Sequence, residues 1–124
     1  MTNEELMRNY YEAYNSEDES RLAPLLAEEV ELVSAAGTQT GRDAYLATYR
    51  YMIATFVDRM TPERIAADAE GATVDIDDQL TARADVEDFL GMSPRAGETV
   101  ALPITGRYTI RDGRITHIRI GPRG

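Results

Sequence analysis

The run ATVDIDDQLTARA, residues 72–84, alternates strictly with period two. Val74, Ile76, Asp78, Leu80 and Ala82 share one side, while Thr73, Asp75, Asp77, Gln79, Thr81 and Arg83 share the other. Strand side chains point to alternate faces, so Asp78 points where its apolar neighbours point unless a bulge intervenes. A carboxylate on an apolar face must be paired, wetted by a cavity or protonated. Desolvation raises its pKa, the direction that suits a general acid or base at neutral pH. The competing reading is a strand-end carboxylate paired with an arginine or turned outward by a bulge.

The single histidine, His117, lies in the last strand-like stretch, DGRITHIRIGP. Histidine titrates nearest neutral pH and so invites a catalytic reading. Alternation argues against one here. Thr116, Ile118 and Ile120 form one face and His117 with Arg119 the other, so His117 is expected outside, with Ile115 blurring the pattern at the strand's start. No glycine-rich phosphate loop, nucleophile elbow or H-E-x-x-H motif occurs. DIDDQLTARADV, residues 75–86, imitates a calcium loop but has Leu80 for the turn glycine and Val86 for the bidentate glutamate. One histidine and no cysteine argue against a dedicated transition-metal site. What remains is acid–base chemistry by Asp, Glu and Tyr, or binding without chemistry.

The elements that would position these groups fall into two halves. In residues 4–15, Leu6, Tyr10, Ala13 and Tyr14 recur at helical spacing. Ser16 with Glu19 forms a capping-box pattern for a second, short helix containing Leu22, Leu25 and Leu26, with Pro24 near its beginning. VELVS, residues 30–34, alternates as a strand. AAGTQTG is turn-like, and Thr40 can cap a third helix running through GRDAYLATYRYMIATF. From residue 63 the period becomes two, with strands in ERIAADAEG, ATVDIDDQLTARA, TVALPITGRYTI and RITHIRI. RDG is a hairpin signal between the last two. This order predicts a single α+β domain over residues 1–124, with helices on one face of an antiparallel sheet.

Composition narrows the partners. The 124 residues carry 43% hydrophobic and 28% charged side chains and a net charge of −9. An acidic surface repels phosphate backbones and anionic lipid, so neither nucleic acid nor membrane is an expected partner. The absence of cysteine excludes disulfides and thiol nucleophiles. No charged-then-apolar leader is visible, and no apolar run approaches the roughly 20 residues that span a bilayer. The expected location is the cytoplasm.

YYEAYNSED, LLAEEV, TGRDAY, FLGMSP, GETV and GRYTIRDGRIT follow one another in an order and spacing that resembles the nuclear transport factor 2-like superfamily. Within it they resemble the SnoaL-like polyketide cyclases, over residues 4–120. The resemblance implies a cone-shaped α+β barrel, in which a curved antiparallel sheet wraps three N-terminal helices and leaves a pocket open at one end. It also implies homodimers and enzymes that need no metal or cofactor. The cyclases use an aspartate on the last strand and a histidine on the strand before. Those positions are Ile120 and Gly106 here, both on faces that alternation turns inward, and neither residue transfers a proton. By likeness to the distantly related ketosteroid isomerases, Tyr10 matches an oxyanion-hole tyrosine and Tyr49 a supporting pocket tyrosine. Their two carboxylates match Ser34 and a position near Thr105. In cyclase relatives the position of Asp78 tends to hold a pocket aromatic.

Two expectations follow. In the first, the chain is a cofactor-independent isomerase, cyclase or hydrolase acting on a hydrophobic small molecule of polyketide or terpenoid type. Asp78 is its acid or base and Tyr10 its oxyanion donor, a contribution on the order of 3 kcal/mol in the transition state. Tyr14 and Tyr49 extend the tyrosine network, and Ser34, Phe56, Thr105, Ile118 and Ile120 complete the pocket. Epoxide opening is disfavoured, because only one inward carboxylate is evident. In the second, the same fold is a non-catalytic small-molecule-binding or dimerisation module, whose pocket holds a ligand or is closed by Met7, Met52, Phe56 and Ile120.

Overall fold

The computed structural model describes residues 1–123. In chain order the elements are α1 (Asn3–Asn15), α2 (Glu19–Leu22), a 3-10 turn (Ala23–Leu25), β1 (Leu26–Ser34), β2 (Gly37–Thr40), α3 (Arg42–Thr55), β3 (Phe56–Ala67), β4 (Gly71–Ala82), β5 (Thr99–Arg111) and β6 (Arg114–Pro122). The six strands form one curved, unclosed sheet in the order β2-β1-β6-β5-β4-β3. α1 packs on β3 and β4, and α3 packs on β1 and β3.

α1 begins at a capping box in which Thr2 accepts from the Glu5 amide and Glu5 accepts from the Thr2 amide. It buries Leu6, Tyr10, Ala13 and Tyr14, as their spacing predicts, together with Met7 and Tyr11. The expected capping box at Ser16 does not form. Ser16 instead closes α1, its hydroxyl donating to the Ala13 carbonyl, and Asp18 caps α2. Asp18 sits in extended backbone one residue before the helix, which is where an N-cap oxygen reaches the first free amides. α2 is a single turn, because Pro24 diverts the chain into the 3-10 turn.

Further expectations are corrected. β1 starts at Leu26 rather than residue 30, and GTQT forms the short strand β2. α3 begins after Gly41, not at a Thr40 cap; Gly41 has φ 97°, a left-handed conformation that suits glycine. β3 begins at Phe56, directly where α3 ends and well before residue 63. The sheet is also mixed rather than antiparallel. β1 joins β6 in parallel, with Glu31 beside His117 and Leu32 beside Ile118, while every other pairing is antiparallel.

The RDG turn is as expected, with Asp112 and Gly113 both at positive φ between β5 and β6. The irregularity at Ile115 is a bulge: Thr109 pairs with His117 but Ile110 pairs with Ile115, which turns both Ile115 and Thr116 inward. His117 is exposed on the outer face, its Nδ1 3.0 Å from Thr116 Oγ1. Among the described residues no helix is long and apolar enough to cross a membrane.

Candidate functional site

β4 pairs with both neighbours without a bulge in the stretch around Asp78, so nothing rotates that residue outward. Asp78 is 5% exposed and lies between Ile76 and Leu80, both fully buried. The adjacent strand adds a second acid. Met60 stands opposite Asp78 and Asp58 opposite Leu80, so Asp58 and Asp78 are diagonal neighbours on the inner face. Asp58 is 2% exposed. The expectation of a single inward carboxylate is therefore corrected to two.

The two carboxyls have few donors around them. Tyr14 donates to Asp58 Oδ2 at 2.7 Å. Asp58 Oδ1 and Asp78 Oδ1 are buried with no donor among the described residues. Neither carboxyl joins an ion pair there either. Two ionised carboxylates are both acceptors and cannot satisfy one another, but one shared proton satisfies both. Burial, reinforced by the hydrogen bond and charge of Asp58, pushes the Asp78 carboxyl well above the usual carboxylate range. With Asp58 already accepting from Tyr14, Asp78 is the member that carries the proton.

This has a measurable effect on stability. As pH rises above about 4, Asp78 ionises in the unfolded chain but stays protonated in the folded one. The folded state then binds the extra proton, so unfolding free energy falls with pH, by up to about 1.4 kcal/mol per unit for this one group. The loss ends only when pH passes the raised folded value. Urea unfolding from pH 5 to 8 should show wild type losing stability relative to Asp78→Asn, in which other carboxylates cancel. A constant difference across that range would contradict the raised value.

The tyrosines form pairs rather than one network. The hydroxyls of Tyr10 and Tyr45 lie 2.5 Å apart, and those of Tyr11 and Tyr108 2.7 Å apart. Tyr49 donates to the Tyr14 carbonyl at 2.7 Å. Tyr14 thus packs its ring near Tyr10, and Tyr49 packs on Tyr14, neither bonding the Tyr10 hydroxyl; Tyr45, on the first turns of α3, is its partner. Burial pushes Tyr10 and Tyr45 well above the ordinary phenol value, and Tyr49 up to about 12. All are neutral hydrogen-bond donors at physiological pH, not bases. A pair of phenols uses one of its two protons internally. If Tyr45 donates to Tyr10, the Tyr10 proton is free for a ligand and is polarised toward it.

Asp78 and Tyr10 both line one cavity of about 900 Å³. Tyr14, Tyr49 and Ser34 line it too, as do Ile118 and Ile120. Phe56 and Thr105 are placed elsewhere. Phe56 is fully buried behind the wall, its ring 4.8 Å from Phe89. Thr105 is on the outer side of β5 and donates to Asp75 at 3.1 Å. Met52 and Ile120 border the cavity without closing it, and Met7 is buried in the core away from it. Sequence reasoning missed Asp58, Tyr45 and Tyr108, and also Phe89 and Leu90 from the β4–β5 loop. The alternation of Phe56, Asp58 and Met60 against Val57, Arg59 and Thr61 is the signal that could have found Asp58. Among the described residues no three His, Cys, Asp or Glu side chains converge on a metal position.

A family model described as a SnoaL-like domain matches residues 7–118. The chain belongs to the SnoaL-like domain family. Among solved structures, this SnoaL-like chain is similar to a polyketide-cyclase candidate from Pseudomonas putida KT2440. The two share 27% identity and a TM-score of 0.84 over 99% of this chain and 92% of that one. IdmH, a polyketide-cyclase candidate from Streptomyces antibioticus, shares 20% identity with a TM-score of 0.79, over 98% and 91%. An LEH-like epoxide hydrolase from M. tuberculosis shares 18% identity with a TM-score of 0.75, over 94% and 78%. The last two likenesses establish the fold alone. Comparison with curated protein sequences gives no match. The SnoaL-like fold with its open cavity is a scaffold for small-molecule binding or catalysis.

Proposed function

We propose that this SnoaL-like protein is an acid–base enzyme, an isomerase, cyclase or hydrolase, acting on a hydrophobic small molecule of polyketide or terpenoid type. The observation that carries this reading is the buried Asp58–Asp78 pair at the wall of an open, largely apolar cavity. A carboxyl held protonated in a dry place beside a second carboxyl is arranged to exchange a proton with a bound molecule. Asp78 reaches the cavity and is the donor or acceptor to substrate. Asp58, oriented by Tyr14, is its positioning partner. Tyr10, backed by Tyr45, donates to oxygen that gains charge as bonds to a neighbouring carbon rearrange. The chemistry needs no group beyond these side chains. The second carboxyl also removes the objection to epoxide opening raised by a single acid.

Two reactions test this without knowledge of the natural substrate. The first is deuterium exchange at the α-carbons of 2-tetralone in heavy water, followed by NMR. The second is hydrolysis of styrene oxide. Acceleration of either above the buffer rate is expected, and Tyr10→Phe should lower it by about 10²-fold. Failure of both would leave the second reading, a non-catalytic binding or dimerisation module. That reading is favoured by Ile120 and Gly106, inner-face residues with no group to transfer a proton. The homodimer belongs with these proposals, and sedimentation equilibrium checks it.

A further inference from the structure

Gly106 lies on the inner face of β5, opposite Val74 on one side and Ile120 on the other. A Cβ added there would stand 2.7 Å from Tyr108 Cε2, 2.9 Å from its hydroxyl and 3.0 Å from Cζ. The Tyr108 ring therefore folds back along its own strand and lies over residue 106. Only a residue without a side chain leaves it that room. Tyr108 is 4% exposed and lines the cavity, whereas Tyr11, which shares its hydroxyl hydrogen bond, does not. The ring also packs edge-on against Tyr10, with centroids 5.5 Å apart. The Tyr11–Tyr108 pair retains one proton and spare lone pairs after its internal bond. Of the two hydroxyls, that of Tyr108 belongs to the residue on the cavity wall.

We propose that the Tyr108 hydroxyl is a second polar anchor, which together with Asp78 selects a flat apolar molecule carrying oxygen at both ends. This rests on reading the cavity as a substrate site. Asp78 stands opposite Leu102, and the Tyr108 ring lies over Gly106, four residues farther along β5. The two residues that carry the anchors are thus set apart along the sheet, with the Tyr108 ring about four residues of β5 beyond the position facing Asp78. A two-ring framework with oxygen at each end suits anchors set apart in this way along the cavity wall. Gly106 is the residue that sets this separation, since a side chain there would displace the Tyr108 ring.

The test uses 2,6-dihydroxynaphthalene and 2-naphthol, which share a framework and differ by one hydroxyl. Their affinities are read by fluorescence titration. Wild type should prefer the diol by about tenfold, the worth of one hydrogen bond. Tyr108→Phe should abolish the preference. Tyr11→Phe, which loses the same hydrogen bond between phenols but keeps the cavity hydroxyl, should retain it. Equal affinities in wild type, or a preference that survives Tyr108→Phe, overturns the anchor. So does a preference lost equally in Tyr11→Phe, because it would be structural. Loss in Asp78→Leu but not in Tyr108→Phe overturns the anchor and leaves the substrate site standing. Loss in Tyr108→Phe with 2-tetralone and styrene oxide both at buffer rates supports the anchor and overturns catalysis. Binding of neither probe overturns both.

Discussion

Asp78→Asn is expected to lower turnover by about 10²- to 10⁴-fold while leaving the protein at least as stable as wild type near neutral pH. The two halves of this result have one cause. Asp78 is held protonated by burial and by Asp58, and the protonated acid donates to its partner. An asparagine amide has nearly the same shape, donates to Asp58 in the same place and has no ionised form to suppress. The folded state therefore keeps its contacts and sheds the cost of holding a carboxyl neutral at a pH where the unfolded chain ionises it. The amide cannot exchange a proton with substrate, so chemistry stops. Exchange into 2-tetralone and urea unfolding, measured in one buffer, separate the two effects. Stability and turnover falling together would make Asp78 a structural residue, and unchanged turnover would remove it from the mechanism.

Gly71→Ala is expected to destabilise the fold by about 3 kcal/mol, the upper end of overpacking costs. Gly71 opens β4 opposite Thr109. A Cβ there would stand 1.8 Å from the Tyr108 carbonyl oxygen, 2.8 Å from the carbonyl carbon and 3.1 Å from Thr109 Cα. These are backbone atoms in a paired strand, so no side-chain rotation relieves the clash, and β4 and β5 must part locally. The displaced segment carries Tyr108, so its hydroxyl contact with Tyr11 should loosen as well. Gly121→Ala is the control, because a Cβ there meets nothing within 4 Å. Its effect should stay within about 0.5 kcal/mol. Urea midpoints compare the two, and a Gly71→Ala protein as stable as Gly121→Ala would refute the argument.

What could be read in the sequence was whatever repeats locally. Alternation along β4 placed Asp78 on the buried face, and the same logic put His117 outside. The RDG turn and the face of α1 were legible for the same reason. Asp58 was not, because α3 runs into β3 without a turn residue and YMIATFV is apolar enough to extend a helix pattern across the junction. The Tyr10–Tyr45 and Tyr11–Tyr108 bonds join residues far apart in the chain, and spacing along a helix says nothing about which hydroxyl meets which. The resemblance supplied the cavity, but its family positions at Gly106 and Ile120 carry no acid or base. The alternation through Phe56, Asp58 and Met60 hints at the second acid, but only the pairing register of β3 with β4 sets it beside Asp78.

The parallel join between β1 and β6 also governs how the molecule must come into being. β6 is the last of the six strands to be synthesised, yet it lies in the middle of the sheet, between β1 and β5. Until it emerges, β3, β4 and β5 can zip together through near-neighbour pairings, but β1 and β2 have nothing to join. Both β1 and β5 then present unsatisfied edges, the usual template for association between chains. Closing the sheet requires Glu31 to find His117 across most of the chain, a non-local step of the kind that slows folding. Assembly of the cavity wall therefore waits on the final strand, and a nascent chain halted before β6 is the species most exposed to aggregation.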